Sequence, residues 1–131
     1  MTENGAHAAL AHAFLHAFKE RDWDALRALF AEDVTWTMPG AGSISGTARG
    51  ADAAVRRARE IAGGGVRTEL LHVLVGADGV ALSLRNTAEA ADGRVLDEHL
   101  ATVLGMRDGR VVRVDSYLSD VDGMSAFFRA S

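Results

Sequence analysis

Residues 66–118 read VRTELLHVLVGADGVALSLRNTAEAADGRVLDEHLATVLGMRDGRVVRVDSYL, and this stretch decides the fold. Asp-Gly occurs three times within it, at Asp78-Gly79, Asp92-Gly93 and Asp108-Gly109, each time between runs rich in Val, Leu and Thr. Asp-Gly favours a two-residue type I′ hairpin, because both turn positions need positive φ. Three such turns predict four consecutive antiparallel strands, at Val66–Gly76, Val80–Ala90, Val95–Met106 and Val111–Leu118.

Two-residue turns also predict a register. Asn86 then faces His99, Leu71 faces Asn86, and Ala101 faces Ser116. Paired residues share a sheet face, so Leu71, Val73, Leu84, Asn86, Ala88, His99, Ala101, Val103, Val114 and Ser116 lie together. Glu69 and Asp97 join that face at its rim. The opposite face takes Arg85, Glu98, Thr102, Arg113, Asp115 and Tyr117, with Leu70, Leu74, Leu100 and Leu104 among them. The first, more aliphatic face is expected to pack on helices. A bulge in any strand would exchange the faces locally.

The helices come mostly earlier. Leu10, Phe14, Leu15 and Phe18 recur at helical spacing. A short second helix fits Trp23 to Phe30 behind an Asp22 N-cap. Val34 to Met38 alternates as a strand and stops at Pro39-Gly40. Ala51 to Ile61 reads as a third helix with Arg56, Arg57, Arg59 and Glu60 on its solvated side, and Gly63-Gly64-Gly65 ends it. A last short helix, Gly123 to Phe128, follows Asp120 and Asp122 as capping residues.

With 131 residues, 48% of them hydrophobic and 24% charged, the chain suits a single α+β domain spanning residues 1–131. The net charge of −4 and the absence of a basic run argue against nucleic acid. No apolar run approaches the roughly 20 residues that span a bilayer. The N-terminus MTENGAHAAL lacks the pattern of a secretion signal, and cysteine is absent, so a cytoplasmic location is expected. Gly40-Ala41-Gly42 is not a dinucleotide fingerprint. His12 and His16 stand four apart without an accompanying carboxylate, which reads as a surface face and not a metal site. No cofactor is implied.

The element order, helix, helix, strand, helix and four-strand meander, resembles the nuclear transport factor 2-like superfamily. The segments DWDALRALFAED (22–33), TMPGAGSISGTARG (37–50) and RDGRVVRVDSYLSD (107–120) are similar to its SnoaL-like branch. The resemblance implies a cone-shaped fold in which N-terminal helices pack on a curved antiparallel sheet around a pocket. It also implies a homodimer paired through the outer sheet face, with Arg85, Tyr117 and Leu100 at its centre. It implies chemistry less narrowly, since the superfamily includes isomerases, cyclases, dehydratases, epoxide hydrolases and binders without activity.

Aligning the similar segments with ketosteroid isomerases places Phe14, Met38 and Ala101 where those enzymes carry a tyrosine, a base and an acid. All three are apolar here, which disfavours steroid isomerisation. The arginine–carboxylate set of limonene-epoxide hydrolases is missing too, with Thr87 and Ser116 at two of its positions. SnoaL-type cyclases use an aspartate, for which Asp115 is the nearest candidate, although the register points it outward. The register leaves His99 beside Asn86, with Ser116 on the next strand, as the polar group of the inner face. A histidine held by asparagine in an apolar pocket can act as a base near neutral pH. The expected catalytic set is therefore His99, Asn86 and Asp115, with Phe14, Phe18, Trp36, Met38, Leu71, Leu84 and Ser116 lining the ligand site. Two functions fit: acid/base isomerisation, cyclisation or dehydration of a small hydrophobic oxygenated molecule, or binding of such a molecule without chemistry.

Overall fold

The computed structural model describes residues 3–129. Helices α1 (Glu3–Glu20) and α2 (Trp23–Leu29) lead into strand β1 (Phe30–Met38), followed by β2 (Gly46–Arg49) and α3 (Ala51–Gly63). The meander follows as β3 (Arg67–Val75), β4 (Gly79–Glu89), β5 (Val95–Arg107) and β6 (Arg110–Leu118), and α4 (Val121–Phe127) closes the chain. Asp22 and Asp120 cap α2 and α4, accepting from the backbone N–H groups of Ala25 at 3.1 Å and Gly123 at 2.9 Å. No described helix is long and apolar enough to cross a membrane.

The strands form one six-stranded sheet in the order β2-β1-β6-β5-β4-β3. All neighbours are antiparallel except β1 and β6, which run parallel with Trp36 opposite Val114. The sheet is thus mixed and not purely antiparallel. Leu26, Phe30, Leu82, Leu104, Val111 and Val114 are almost fully buried between sheet and helices.

The three Asp-Gly pairs do three different things, and one of them turns over the β5 part of the predicted face. Asp108 and Gly109 adopt φ of 54° and 75°, as a type I′ turn requires. At the first hairpin, Gly76 N–H donates to Gly79 O at 2.9 Å, so the turn residues are Ala77 and Asp78. Gly79 is already in the strand. A Cβ there would stand 1.9 Å from the carbonyl oxygen of Leu104, so glycine serves close strand approach. At the second hairpin, Ala90 N–H donates to Arg94 O at 2.8 Å and Gly93 N–H to Ala90 O at 2.9 Å. The loop is Ala91-Asp92-Gly93, with Gly93 at φ 92° in the position that a three-residue hairpin gives to a left-handed residue.

That extra residue slides β5 by one position, and a slip of one turns every side chain over. Asn86 faces Glu98, not His99, and Leu84 faces Leu100. A bulge at Val112 then compensates on the far side, pairing Thr102 with Ser116 and Leu104 with Val114. Asn86, Val114 and Ser116 keep the inner face predicted for them, while Leu96, Glu98, Leu100, Thr102 and Leu104 replace Asp97, His99, Ala101 and Val103 there. A second bulge, at Leu71, brings Leu70 opposite Leu84 and Thr68 opposite Asn86. Leu71 itself is turned out and is 37% exposed.

Candidate functional site

The helices and the inner sheet face enclose a cavity of about 50 Å³. Phe14, Leu15 and Phe18 line it from α1, Trp36 and Met38 from β1, and Leu84, Leu96 and Leu100 from the meander. Ile44, Ile61 and Phe128 complete the apolar wall. Phe14 meets the Trp36 ring with centroids 6.1 Å apart.

Two devices hold this wall. From α3, the Arg57 guanidinium donates to the backbone carbonyls of Trp36 (2.5 Å), Gly46 (2.9 Å) and Ser45 (3.1 Å). It fixes β1 to the loop before β2, where the sequence suggests only a solvated cation. Partial burial lowers the Arg57 pKa from its ordinary value. The second device is α4. Ser43 N–H donates to Phe128 O at 2.5 Å and Ala41 N–H to Ser125 Oγ at 3.0 Å. Arg94 donates to Phe127 O and lies 5.4 Å from the centre of its ring.

The polar lining forms two cross-strand groups on the sheet floor, Thr68, Asn86 and Glu98 in one and Thr102 and Ser116 in the other, with Leu84 and Leu100 between them. Thr68 Oγ1 donates to Asn86 Oδ1 at 2.7 Å. Glu98 is the ionisable member of the lining. It is 3% exposed, and its Oε2 has no hydrogen-bond partner among the described residues. Burial pushes its carboxyl up to about 7, with the negative charge of Asp120 acting in the same direction. A carboxyl poised there can exchange a proton in either direction near neutral pH. The indole Nε1 of Trp36, 4% exposed, is likewise without a partner among the described residues.

Of the residues expected at the site, the structure brings Asn86, Phe14, Phe18, Trp36, Met38, Leu84 and Ser116 to the cavity. Three stay outside it. His99 points to the exposed outer face because of the slipped hairpin. Asp115 is also on the outer face, where it accepts from Arg113 Nε at 2.8 Å. Leu71 is turned out by its bulge. Asp97, expected at the rim, pairs on the outer face with Arg85 at 2.8 Å. Glu69, also placed at the rim, is exposed opposite Arg85. Leu100, expected at an outer interface, is an inner residue. Glu98, Thr102 and Thr68 were missed. The available signal was the spacing of Leu96, Leu100 and Leu104, whose even-numbered positions carry the larger apolar side chains of β5.

A surface depression shares Phe18 and Thr68 with the cavity, and Lys19, Arg21 and Arg67 line it. Arg21 takes a left-handed φ of 56°, and its guanidinium reaches the carbonyl of Ala62 at 3.4 Å. The cavity is therefore adjacent, at Phe18 and Thr68, to a depression lined by cations.

Helices laid over a curved mixed sheet, with a pocket between them, define the nuclear transport factor 2-like fold. Solved structures of that class agree: Bal32a, from a soil-derived mobile gene cassette, superposes with a TM-score of 0.91 at 31% identity, covering 98% of this chain and all of that one. A Kribbella flavida protein, proposed to be a ketosteroid isomerase, superposes with a TM-score of 0.75 at 25% identity, over 90% of this chain and 81% of that one. Three uncharacterized mycobacterial proteins, from Mycobacterium bovis and two strains of Mycobacterium tuberculosis, are 28% identical over 115 residues, 86% of this chain and 88% of theirs. The SnoaL-like domain family matches residues 11–114, and the chain belongs to that family.

Proposed function

We propose that the protein is a cofactor-independent acid/base enzyme, of isomerase, cyclase or dehydratase type, acting on a small hydrophobic oxygenated molecule, with Glu98 as its proton-transfer group. The observation that carries this reading is the buried Glu98 carboxyl, its Oε2 without a partner among the described residues, pushed up to about 7 inside an apolar cavity. Such a group is costly to keep, and perturbed carboxyls in clefts cluster at functional sites. Asn86, directly across the strand from Glu98, and Ser116 beside Thr102 are proposed as the neighbouring polar contacts to the ligand. The proposed assignment of the Kribbella relative is of the same broad class.

Nitroethane is a compact carbon acid with which this can be tested without the natural substrate. In deuterated buffer, the protein should speed exchange of its α-hydrogens, with a rate that rises as pH passes about 7 and the carboxylate forms. Glu98→Gln should remove the acceleration, whereas His99→Ala and Asp115→Asn should keep it. Equal rates for the wild type and Glu98→Gln would overturn the assignment.

A second reading, binding without chemistry, is favoured by the apolar Phe14 and Met38 in the lining. It predicts ligand affinity with no change in the ligand and no exchange of nitroethane. In either reading the chain pairs with a second copy through the outer sheet face, where Tyr117 is 64% exposed. Sedimentation at high concentration tests this, and a monomer throughout would count against it.

A further inference from the structure

We infer that the indole N–H of Trp36 is the hydrogen-bond donor that selects the ligand, so that the ligand presents an acceptor oxygen, such as a carbonyl, to the β1 side of the cavity. The inference rests on the reading of this cavity as a ligand site. Its own support is the Trp36 N–H, which is buried and finds no acceptor among the described residues. Buried N–H groups in native proteins are almost always paired, so one left open beside a cavity is complementary to whatever fills it.

The donor is also held in place. Trp36 sits between Ala48 of β2 and Val114 of β6 in the sheet register. Its carbonyl is tied by Arg57, and its ring is packed against Phe14. A donor fixed before binding spends little freedom when the ligand arrives. The rest of the lining sharpens the chemistry. Glu98 Oε2 is an unpaired acceptor when ionised, and the wall around both groups is apolar. A pure hydrocarbon would leave both polar atoms unsatisfied. A compact molecule with an acceptor oxygen satisfies the indole.

Cyclopentanone and methylenecyclopentane have nearly the same shape and differ in the oxygen, so they separate this inference from simple filling of space. With 15N-labelled protein, cyclopentanone should shift the Trp36 indole N–H resonance, while Trp23, packed on Phe18 with centroids 6.4 Å apart, serves as the internal control. Trp36→Phe should weaken cyclopentanone by about tenfold more than methylenecyclopentane, and retained binding of the hydrocarbon also reports that the variant is folded. Equal weakening of both ligands, or a still indole resonance with cyclopentanone bound, would overturn the inference and leave the Glu98 reading standing. Binding of neither ligand by the wild type would overturn it as well. A shifted indole with the selective loss, but no nitroethane exchange, would uphold the Trp36 role and sink the proton-transfer role of Glu98.

Discussion

Asp97 and Glu98 are neighbours in sequence and opposites in chemistry. Asp97 stands on the outer face of β5, where the Arg85 guanidinium donates to it at 3.0 and 2.8 Å. That hydrogen bonding holds its pKa below the usual carboxylate value. Glu98, one residue on, faces the cavity without a partner for Oε2 and is pushed up to about 7 by burial. A strand alternates its side chains, so one step along the backbone moves a carboxyl from a solvated ion pair to an apolar chamber. Which of the two faces inward is set by the length of a hairpin loop.

The largest effect is therefore expected from a charge forced onto the inner row of β5. Leu100→Asp places a second carboxyl on the cavity wall, where the lining offers no cation, or else turns the strand over and exposes Leu96 and Leu104. The expected loss exceeds about 4 kcal/mol, a large part of the stability of a domain this size. Chemical denaturation reads the loss. A variant as stable as the wild type would mean that β5 tolerates either register.

Next comes the pH dependence of Glu98→Gln. The folded carboxyl titrates at about 7 against an ordinary value of 4.5, so the folded protein retains a proton that the unfolded chain releases. Stability conferred by the protonated group is complete below about 4.5 and is lost as pH rises through about 7. Glutamine mimics the protonated form at every pH. The variant should match the wild type near pH 4.5 and exceed it by on the order of 3 kcal/mol at pH 8. Denaturation curves at the two pH values read this difference, and a variant less stable at pH 8 would contradict it.

The smallest effect belongs to the outer carboxyl. Asp97 is exposed, and its ion pair with Arg85 is a surface one, which contributes little. Asp97→Asn should leave the thermal midpoint within error and the nitroethane exchange unaltered. A loss of exchange comparable to that of Glu98→Gln would erase the distinction between the two faces.

The fold was readable in the sequence because its signals were local and redundant. Alternating strands between Asp-Gly pairs, the Phe14–Phe18 stripe and the Asp22 cap all pointed to helices on a meander. The inner face was half readable. Asn86 and Ser116 were placed correctly, since β4 carries the larger apolar residues at even positions and the Val112 bulge offsets the slipped turn on β6. The β5 residues were not, because Asp-Gly serves equally in a two-residue turn, in a three-residue loop with Gly93 left-handed, and at Gly79 for strand contact. Turn composition alone does not count loop residues, whereas Leu96, Leu100 and Leu104 on the face left to solvent did mark the slip. Arg57 was unreadable as a strut because its acceptors are backbone carbonyls distant in sequence.

The most direct test follows the side-chain carboxyl carbons of Asp97 and Glu98 by 13C NMR across pH 2 to 9, a span of roughly two units or more around both ordinary values. Glu98 is expected to titrate with a midpoint of about 7, and Asp97 below the usual carboxylate value. A Glu98 midpoint close to its ordinary 4.5 would contradict the buried, unpartnered carboxyl on which the proposed chemistry stands.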